Sequence, residues 1–427
     1  PLPVVQYIVN AVDTVLKTEF DLPDGLADDS TITQTVRVEG YKKGKGTGKV
    51  HHRDEVEIPR VQILDPATGT GTFLNETIKL IAKRKQHLGS GWNSYVEDNL
   101  LPRIHGFEIL MAAYSMAHMR LGLTLAETGY VPSAQHPRIG VYLTNSLEEP
   151  AKDEPPLLAM LGMGRALTEE AIAADKVKRD LPIMVVMGNP PYSVSSSNKG
   201  KFIQALIADY KKDLNEKKIN LDDDYIKFIR YAEHMIEKAG QGVVAMITNN
   251  SFIDGITHRQ MRKQLLETFD KIHVLDLHGN SKKKETTPNG GKDENVFDIQ
   301  AGVSIIILVK KTKSELNKSE ANFAEIYGKR SEKYQALETK HEFNRLEPAA
   351  PNFFFVPRDE VHQSYIANFI SIRDLFPNGT SGFRCGDDDA QICWNDNQIQ
   401  AVVQDLIDLP EEAYRIKYNL KDGRNHN

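Results

Sequence analysis

Apolar residues along this chain gather in short runs, and longer stretches with helical spacing separate the early runs. Between runs, residues 112–128 and 225–238 show the spacing of amphipathic helices; in the second stretch Ile226, Ile229 and Ile236 follow one face. Seven of the runs are candidates for buried strands, at residues 61–64, 103–107, 139–143, 183–187, 242–248, 271–276 and 302–309.

The order of these segments predicts an α/β fold of the Rossmann-like type. Helices between successive strands favour parallel pairing, whereas only a polar loop separates the last two strands, so these should pair antiparallel. We therefore predict a mostly parallel seven-stranded sheet with one antiparallel strand, formed by a core of residues 61–311. Residues 1–60 should form a helical segment with a basic loop, and residues 312–427 an irregular appendage packed on the core.

Composition is that of a globular protein that does not enter a membrane. The 427 residues are 40% hydrophobic and 26% charged, enough for a large core and two or three domains. No apolar run approaches the ~20 residues that cross a bilayer, and no signal-peptide pattern is present. Cys385 and Cys393 form neither a disulfide framework nor a paired metal motif, so we expect a cytoplasmic protein without a metal site.

The tetrapeptide Asn189-Pro190-Pro191-Tyr192 follows the fourth strand candidate. Ligands of open α/β sheets bind at the carboxyl ends of strands. Two prolines fix φ and lack an N–H, so the carbonyl beside Asn189 is held in one direction. Asn189 and that carbonyl can grip a planar amino group, while Tyr192 offers a flat face to a ring. The alternative is an Asn-Pro turn that ends a strand.

Upstream, the first strand candidate leads into a glycine turn, Asp65 to Phe73, and then a helical pattern. Gly69 and Gly71 allow close approach of a ligand, and the helix start and Asp65 offer opposite charges to a zwitterion. The third glycine of a dinucleotide fingerprint is missing, which argues against NAD. Two further strand candidates end on polar residues: Glu108, which can bind ribose hydroxyls, and Asn145 with Ser146. The alternative for the glycine turn is a plain tight turn without a ligand, and the alternative for Glu108 is an ordinary carboxylate at the start of a helix.

Together these motifs resemble the DNA amino-methyltransferases that act on adenine with S-adenosylmethionine, in the γ order of motifs. The resemblance implies that the tetrapeptide (Asn189, Pro190, Pro191 and Tyr192) is catalytic. Family members more often carry Asp where Asn145 stands. The implied cofactor-binding residues are Asp65, Ala67, Thr68, Gly69, Gly71, Thr72, Phe73, Glu108, Ile109, Asn145 and Ser146.

Residues 107–112, 275–280 and 292–300 extend the resemblance to the methyltransferase part of type ISP single-polypeptide restriction–modification enzymes. Such bacterial or archaeal enzymes join nuclease, helicase, methyltransferase and target-recognition domains in one chain. The resemblance implies that the other domains lie elsewhere in a parent chain, with residues 312–427 leading toward the target-recognition domain. It also implies that Phe297 stacks on a flipped base opposite Tyr192; a core position that opens a strand is the equal alternative for Phe297.

The formal net charge of the chain is −6, so only local groups of basic residues are consistent with DNA binding. Nucleic-acid binding usually leaves a basic footprint. Lys199 and Lys201 follow the tetrapeptide, and Lys282, Lys283 and Lys284 precede Phe297. Phosphate contacts at these lysines would position a duplex around a flipped base. For any one of the lysine groups, a solvated loop is the more common explanation.

The sequence therefore predicts methyl transfer from S-adenosylmethionine to the exocyclic amino group of adenine in double-stranded DNA, by base flipping and without a metal. Two other functions stay open. A protein glutamine N-methyltransferase faces the same planar nitrogen and also uses Asn-Pro-Pro-Tyr. A non-catalytic scaffold would bind the cofactor and only position DNA within a restriction complex.

Overall fold

A computed structural model describes residues 1–41, 49–150, 163–192, 196–214, 221–312, 319–358, 367–376, 378, 393–418 and 420. Lys42, Lys43 and Lys45 of the predicted basic loop lie outside these residues, as does Cys385. The strands of the described residues are β1 (Thr31–Tyr41), β2 (Lys49–Pro59), β3 (Ile63–Asp65), β4 (Ile104–Glu108), β5 (Val141–Leu143), β6 (Val185–Gly188), β7 (Gly242–Asn249), β8 (Lys271–Asp276), β9 (Val303–Lys310), β10 (Glu320–Glu325) and β11 (Asn344–Leu346).

Nine of these strands form one mixed sheet in the order β11-β10-β8-β9-β7-β6-β3-β4-β5. Strands β5, β4, β3, β6 and β7 pair in parallel. Strand β9 runs antiparallel to both of its neighbours, β7 and β8. All seven predicted strands, and the reversal of the last one, are therefore confirmed.

The structure adds strands that the sequence patterns do not predict. Strand β10 pairs in parallel with β8, and β11 pairs antiparallel with β10, so the sheet continues beyond residue 311 to Leu346. Strands β1 and β2 form a separate antiparallel hairpin. The chain divides into two compact units, Pro1–Pro357 and Arg358–Asn427. The three-part division at residues 60 and 311 remains a prediction.

Helices cover both faces of the sheet. Alternate residues of a strand point to opposite faces, and β7 shows this, because Val243 and Ala245 join one core cluster while Val244 and Met246 join the other. The α-helices of the described residues are α1 (Leu2–Glu19), α2 (Thr72–Arg84), α3 (Trp92–Tyr95), α4 (Met111–Glu127), α5 (Met163–Asp180), α6 (Lys201–Lys211), α7 (Asp224–Ala239), α8 (Ser251–Asp254), α9 (Arg259–Thr268), α10 (Arg330–Ala336), α11 (Ile372–Leu375), α12 (Asp396–Asp408) and α13 (Glu411–Lys417). The core cluster with Val243 includes residues of α1, α2 and α4, and the core cluster with Val244 includes residues of α5, α6, α7 and α9.

Within the described ranges, no helix is both long and apolar enough to cross a membrane.

A buried ion pair fixes α10 to the connection between β8 and β9. The Lys333 ammonium donates to Asp293 Oδ2 at 2.8 Å and to the carbonyl oxygens of Leu277 at 2.6 Å and Glu294 at 2.7 Å. Both charged side chains are fully buried, with 0% exposure. Breaking such a pair leaves one uncompensated charge in the interior.

We therefore expect Lys333→Met to lower the free energy of unfolding by about 3–5 kcal/mol, the usual cost of stranding one member of a buried pair. Urea denaturation at neutral pH measures the change. Arg345→Met is the control, because Arg345 forms an exposed ion pair with Glu347. A loss at Lys333 no larger than at Arg345 would contradict this account of the pair.

Candidate active site

Three predicted motifs meet at one edge of the sheet because β3 pairs in parallel with both β4 and β6. The carboxyl ends of neighbouring parallel strands lie at the same edge of the sheet. Asp65 is the last residue of β3, Glu108 the last of β4 and Gly188 the last of β6. The glycine turn, the predicted ribose-binding acid and the tetrapeptide are therefore neighbours.

The glycine turn depends on left-handed backbone conformations at two positions. Gly69 has φ +56° and Gly71 has φ +78°, values that L side chains rarely adopt. A Cβ on Gly71 would also lie 3.4 Å from the Cβ of Ala117 in α4, whereas Gly69 faces open space. The turn is fixed to β4 by a hydrogen bond from Thr68 N to Phe107 O at 2.9 Å. Of these two glycines, Gly69 is the one that has room for a ligand beside its backbone.

Glu108 joins the turn after β3 to the loop after β4. Its Oε2 accepts from Gly69 N at 2.8 Å, and its Oε1 accepts from Ile109 N at 2.8 Å and Leu110 N at 2.7 Å. These bonds occupy both lone pairs of Oε1 and leave one lone pair free on Oε2. Glu108 therefore keeps acceptor capacity for hydroxyl groups while its own orientation is fixed by the backbone.

Asp65 is buried and only partly hydrogen-bonded. Its Oδ1 accepts from Ala67 N at 3.1 Å, whereas Oδ2 receives no hydrogen bond from the part of the chain that the structure describes. Burial, with a smaller contribution from the charge of Glu108, raises the pKa of Asp65 to about 7. A Cβ on Gly188 would lie 2.7 Å from Asp65 Oδ1, so a glycine is needed beside this carboxylate. A buried acid with a free oxygen suits a cationic ligand group.

Asn145 connects the loop after β5 to the segment that follows the tetrapeptide. Its Nδ2 donates to Asn198 Oδ1 at 2.9 Å, and its Oδ1 accepts from Leu147 N at 3.0 Å. The buried Lys178 of α5 donates to Asn145 O at 2.7 Å, and burial lowers the pKa of this ammonium to about 8. Lys178 and Asn198 are not predicted from the sequence, because nothing in the pattern around either residue distinguishes it from a surface residue.

The tetrapeptide presents Asn189 to solvent and holds Tyr192 beneath it. Asn189 is exposed and Tyr192 is half-buried. The Tyr192 hydroxyl lies 3.2 Å from Asn189 Oδ1 and 3.3 Å from Ile247 O, and its single proton can be donated to only one of them. Burial raises the pKa of Tyr192, so the hydroxyl stays protonated at neutral pH. Donation to Asn189 orients the amide and leaves a second lone pair of Oδ1 for another donor.

The other predicted site residues have varied surroundings. Phe73 is 4% exposed within the core, and Ile109 beside Glu108 is 62% exposed. The Ser146 hydroxyl donates to Pro66 O, and the Thr72 hydroxyl accepts from Arg120. The five predicted DNA-binding lysines, Lys199, Lys201, Lys282, Lys283 and Lys284, are all exposed.

Phe297 is half-buried in the connection between β8 and β9. Because β9 is antiparallel, this connection reaches the same edge of the sheet as the tetrapeptide. Strands β6 and β9 are separated by two strand spacings, roughly 10 Å.

Residues 104–282 match the family model described as Eco57I restriction-modification methylase. This interval runs from β4 past β8 and includes the tetrapeptide. A DrdV–DNA complex matches with 26% identity and a TM-score of 0.59, covering 82% of this chain and 30% of that chain. The type ISP restriction-modification enzyme LlaBIII bound to DNA matches with 26% identity and a TM-score of 0.68, covering 96% of this chain and 26% of that chain.

The fold is also that of a nuclease-deletion mutant of the type ISP enzyme LlaGI, at 22% identity and a TM-score of 0.64 over 85% of this chain and 27% of that chain. This chain therefore spans less than a third of each of these three proteins. No curated protein matches the sequence.

We expect Asp65→Asn to stabilise the protein in the absence of ligand, by up to roughly 4 kcal/mol at pH 8, because the pKa of Asp65 rises from 3.8 to about 7 on folding and one pKa unit corresponds to about 1.4 kcal/mol. The folded-state pKa of about 7 lies above the ordinary value of 3.8, so the wild type loses stability between about pH 4 and pH 7 and regains none above. Urea denaturation of both proteins at pH 5 and pH 8 should show a larger difference at pH 8. An equal difference at both pH values would contradict the assigned pKa.

Proposed function

We propose that this chain, which carries an Eco57I restriction-modification methylase domain at residues 104–282, transfers a methyl group from S-adenosylmethionine to the exocyclic amino group of adenine in double-stranded DNA. The observation that carries the proposal is the position of the tetrapeptide. Asn189, whose Oδ1 lies 3.2 Å from the Tyr192 hydroxyl, follows a strand next to the one that leads into the glycine turn. In that turn the buried Asp65 has an oxygen, Oδ2, that accepts no hydrogen bond from the described residues.

The residues around Asp65 fit S-adenosylmethionine. The free Oδ2 of Asp65 suits the cationic amino-acid part, the carboxylate of Glu108 suits the ribose hydroxyls, and the backbone at Gly69 is open to approach. When bound, the cofactor supplies a methyl group on a positively charged sulfur. Asn145 and the exposed Ile109 would complete the site around its adenine.

Asn189 and the Pro190 carbonyl would hold the amino group of the substrate. The lone pair of that nitrogen is delocalised into the ring, and two acceptors that bind its hydrogens out of plane localise it. Asn189 is neutral and does not take a proton, so the nitrogen's proton leaves to solvent after transfer. Orientation and preorganised hydrogen bonds therefore supply the rate gain.

Double-stranded DNA is the proposed substrate because the DrdV and LlaBIII structures are complexes with DNA and this chain shares their fold. The target adenine would be flipped from the duplex and stacked between Tyr192 and Phe297. Lys199, Lys201 and Lys282 to Lys284 would contact phosphates, which gives a chain of net charge −6 a local basic surface. The nuclease, helicase and target-recognition domains would lie elsewhere in a parent chain, in the cytoplasm of a bacterium or archaeon.

We expect Asn189→Ala to lower kcat by about 10²–10³-fold, the typical cost of removing one preorganised group that acts in the transition state. The Kd for S-adenosylmethionine should stay near that of the wild type, because Asn189 is exposed and lies outside the glycine turn. Radiolabelled methyl transfer to unmethylated DNA and calorimetric titration with the cofactor measure the two quantities. Asn344→Ala, at an exposed asparagine of β11, is the matched control. Turnover by Asn189→Ala at the control rate would exclude the proposed mechanism.

The same radiolabel separates DNA from protein as the substrate. Incubation with DNA alone and with protein fractions alone should label only the DNA. Label that enters glutamine side chains and not DNA would instead identify the protein glutamine N-methyltransferase.

Replacing Lys282, Lys283 and Lys284 together by Ala should weaken DNA binding equally for different sequences. The slope of log K against log salt should fall by about 0.9 for each lysine that contacts a phosphate. Lys263→Ala is the control, because Lys263 lies on α9 in an exposed pair with Glu267. A slope identical to that of the control would show that Lys282, Lys283 and Lys284 contact solvent and not phosphates.

A further inference from the structure

Three side chains of the short helix α10 bind four consecutive backbone carbonyls of the segment that carries Phe297. Lys333 donates to Glu294 O at 2.7 Å, and the Tyr334 hydroxyl donates to Val296 O at 2.7 Å. Arg330 donates from Nε to Asn295 O at 2.8 Å and from Nη2 to Phe297 O at 3.0 Å. The backbone on both sides of Phe297 is therefore fixed from one helix.

The same segment is also tied to the loop that follows β8. Asn295 Nδ2 donates to Gly279 O at 3.1 Å and to Ala301 O at 2.6 Å, while Asn295 Oδ1 accepts from Phe297 N at 2.9 Å. A Cβ on Gly279 would lie 2.5 Å from Asn295 Cα, so the two stretches are in close contact. Phe297 itself remains half-buried.

We infer that α10 sets the conformation of the Phe297 segment, and that Arg330 and Tyr334 are positioning residues for the flipped base. The inference rests on the proposed function, in which Phe297 stacks on adenine. It assigns a role to a helix that lies outside the methylase match at residues 104–282.

Preorganisation is the physical reason for such an arrangement. The connection between β8 and β9 covers residues 277–302, and ordering a long loop when DNA binds would reduce affinity. Carbonyls that are already hydrogen-bonded to α10 keep the Phe297 ring in place before DNA arrives. Lys333 is unsuitable as a test, because its removal strands the buried Asp293 carboxylate.

Tyr334→Phe removes one hydroxyl and keeps the ring, so it tests the inference with little effect on packing. Arg330→Lys keeps the positive charge but loses the planar fork that reaches two carbonyls. For each variant we expect kcat/KM for unmethylated phage DNA to fall roughly three- to tenfold, the effect of losing one ordinary hydrogen bond. The Kd for S-adenosylmethionine should not change. Arg345→Lys, at an exposed arginine of β11, is the matched control.

A double-mutant cycle separates positioning of Phe297 from general destabilisation. In a Phe297→Ala background, Tyr334→Phe should have no further effect on kcat/KM, because the ring that it positions is absent. The inference is overturned if Tyr334→Phe lowers kcat/KM equally with and without Phe297, if both helix variants match Arg345→Lys, or if Phe297→Ala alone has no effect. In those cases methyl transfer by the wild type still supports the proposed function; a wild type that transfers no methyl group to DNA contradicts the function itself.

Discussion

The candidate site depends on the parallel pairing of β3 between β4 and β6. This pairing makes three strands end at one edge and brings together groups that are far apart in sequence: Asp65, Glu108 and Asn189. Close contact there requires small residues, since a Cβ on Gly188 would collide with Asp65 and one on Gly106 would lie 2.5 Å from Thr68 Oγ1. Gly188 at the end of β6 and Gly106 within β4 are therefore as much a part of the site as the polar residues are.

Two carboxylates at this edge are held in different ways. Among the residues that the structure describes, Glu108 accepts three backbone hydrogen bonds and the fully buried Asp65 accepts one, and burial raises the pKa of Asp65 to about 7. An unsatisfied buried acid is a cost to the folded protein unless a cationic group binds there. Burial of Asp65 therefore destabilises the folded protein when no ligand is bound. A cofactor that carries sulfonium and ammonium groups would offset this cost by pairing with the carboxylate.

Much of this arrangement follows from the sequence. Seven apolar runs predict seven strands, and the polar stretch between the last two predicts the antiparallel β9, because no helix is available to cross over. Strands β10 and β11 have few apolar residues, and α10 is a seven-residue helix, so local patterns do not predict them. Their stability comes from contacts between distant residues, such as Lys333 with Asp293, 40 positions apart. For the same reason the links of Asn145 to Asn198 and Lys178 could not be predicted.

The identity of the methylated atom tests the proposed function most directly. Unmethylated DNA would be incubated with the protein and deuterated S-adenosylmethionine, digested to nucleosides and analysed by mass spectrometry. The account predicts label in N6-methyldeoxyadenosine from the wild type and none from Asn189→Ala. Label in a methylated cytosine, or in no nucleoside while protein is labelled, would contradict it.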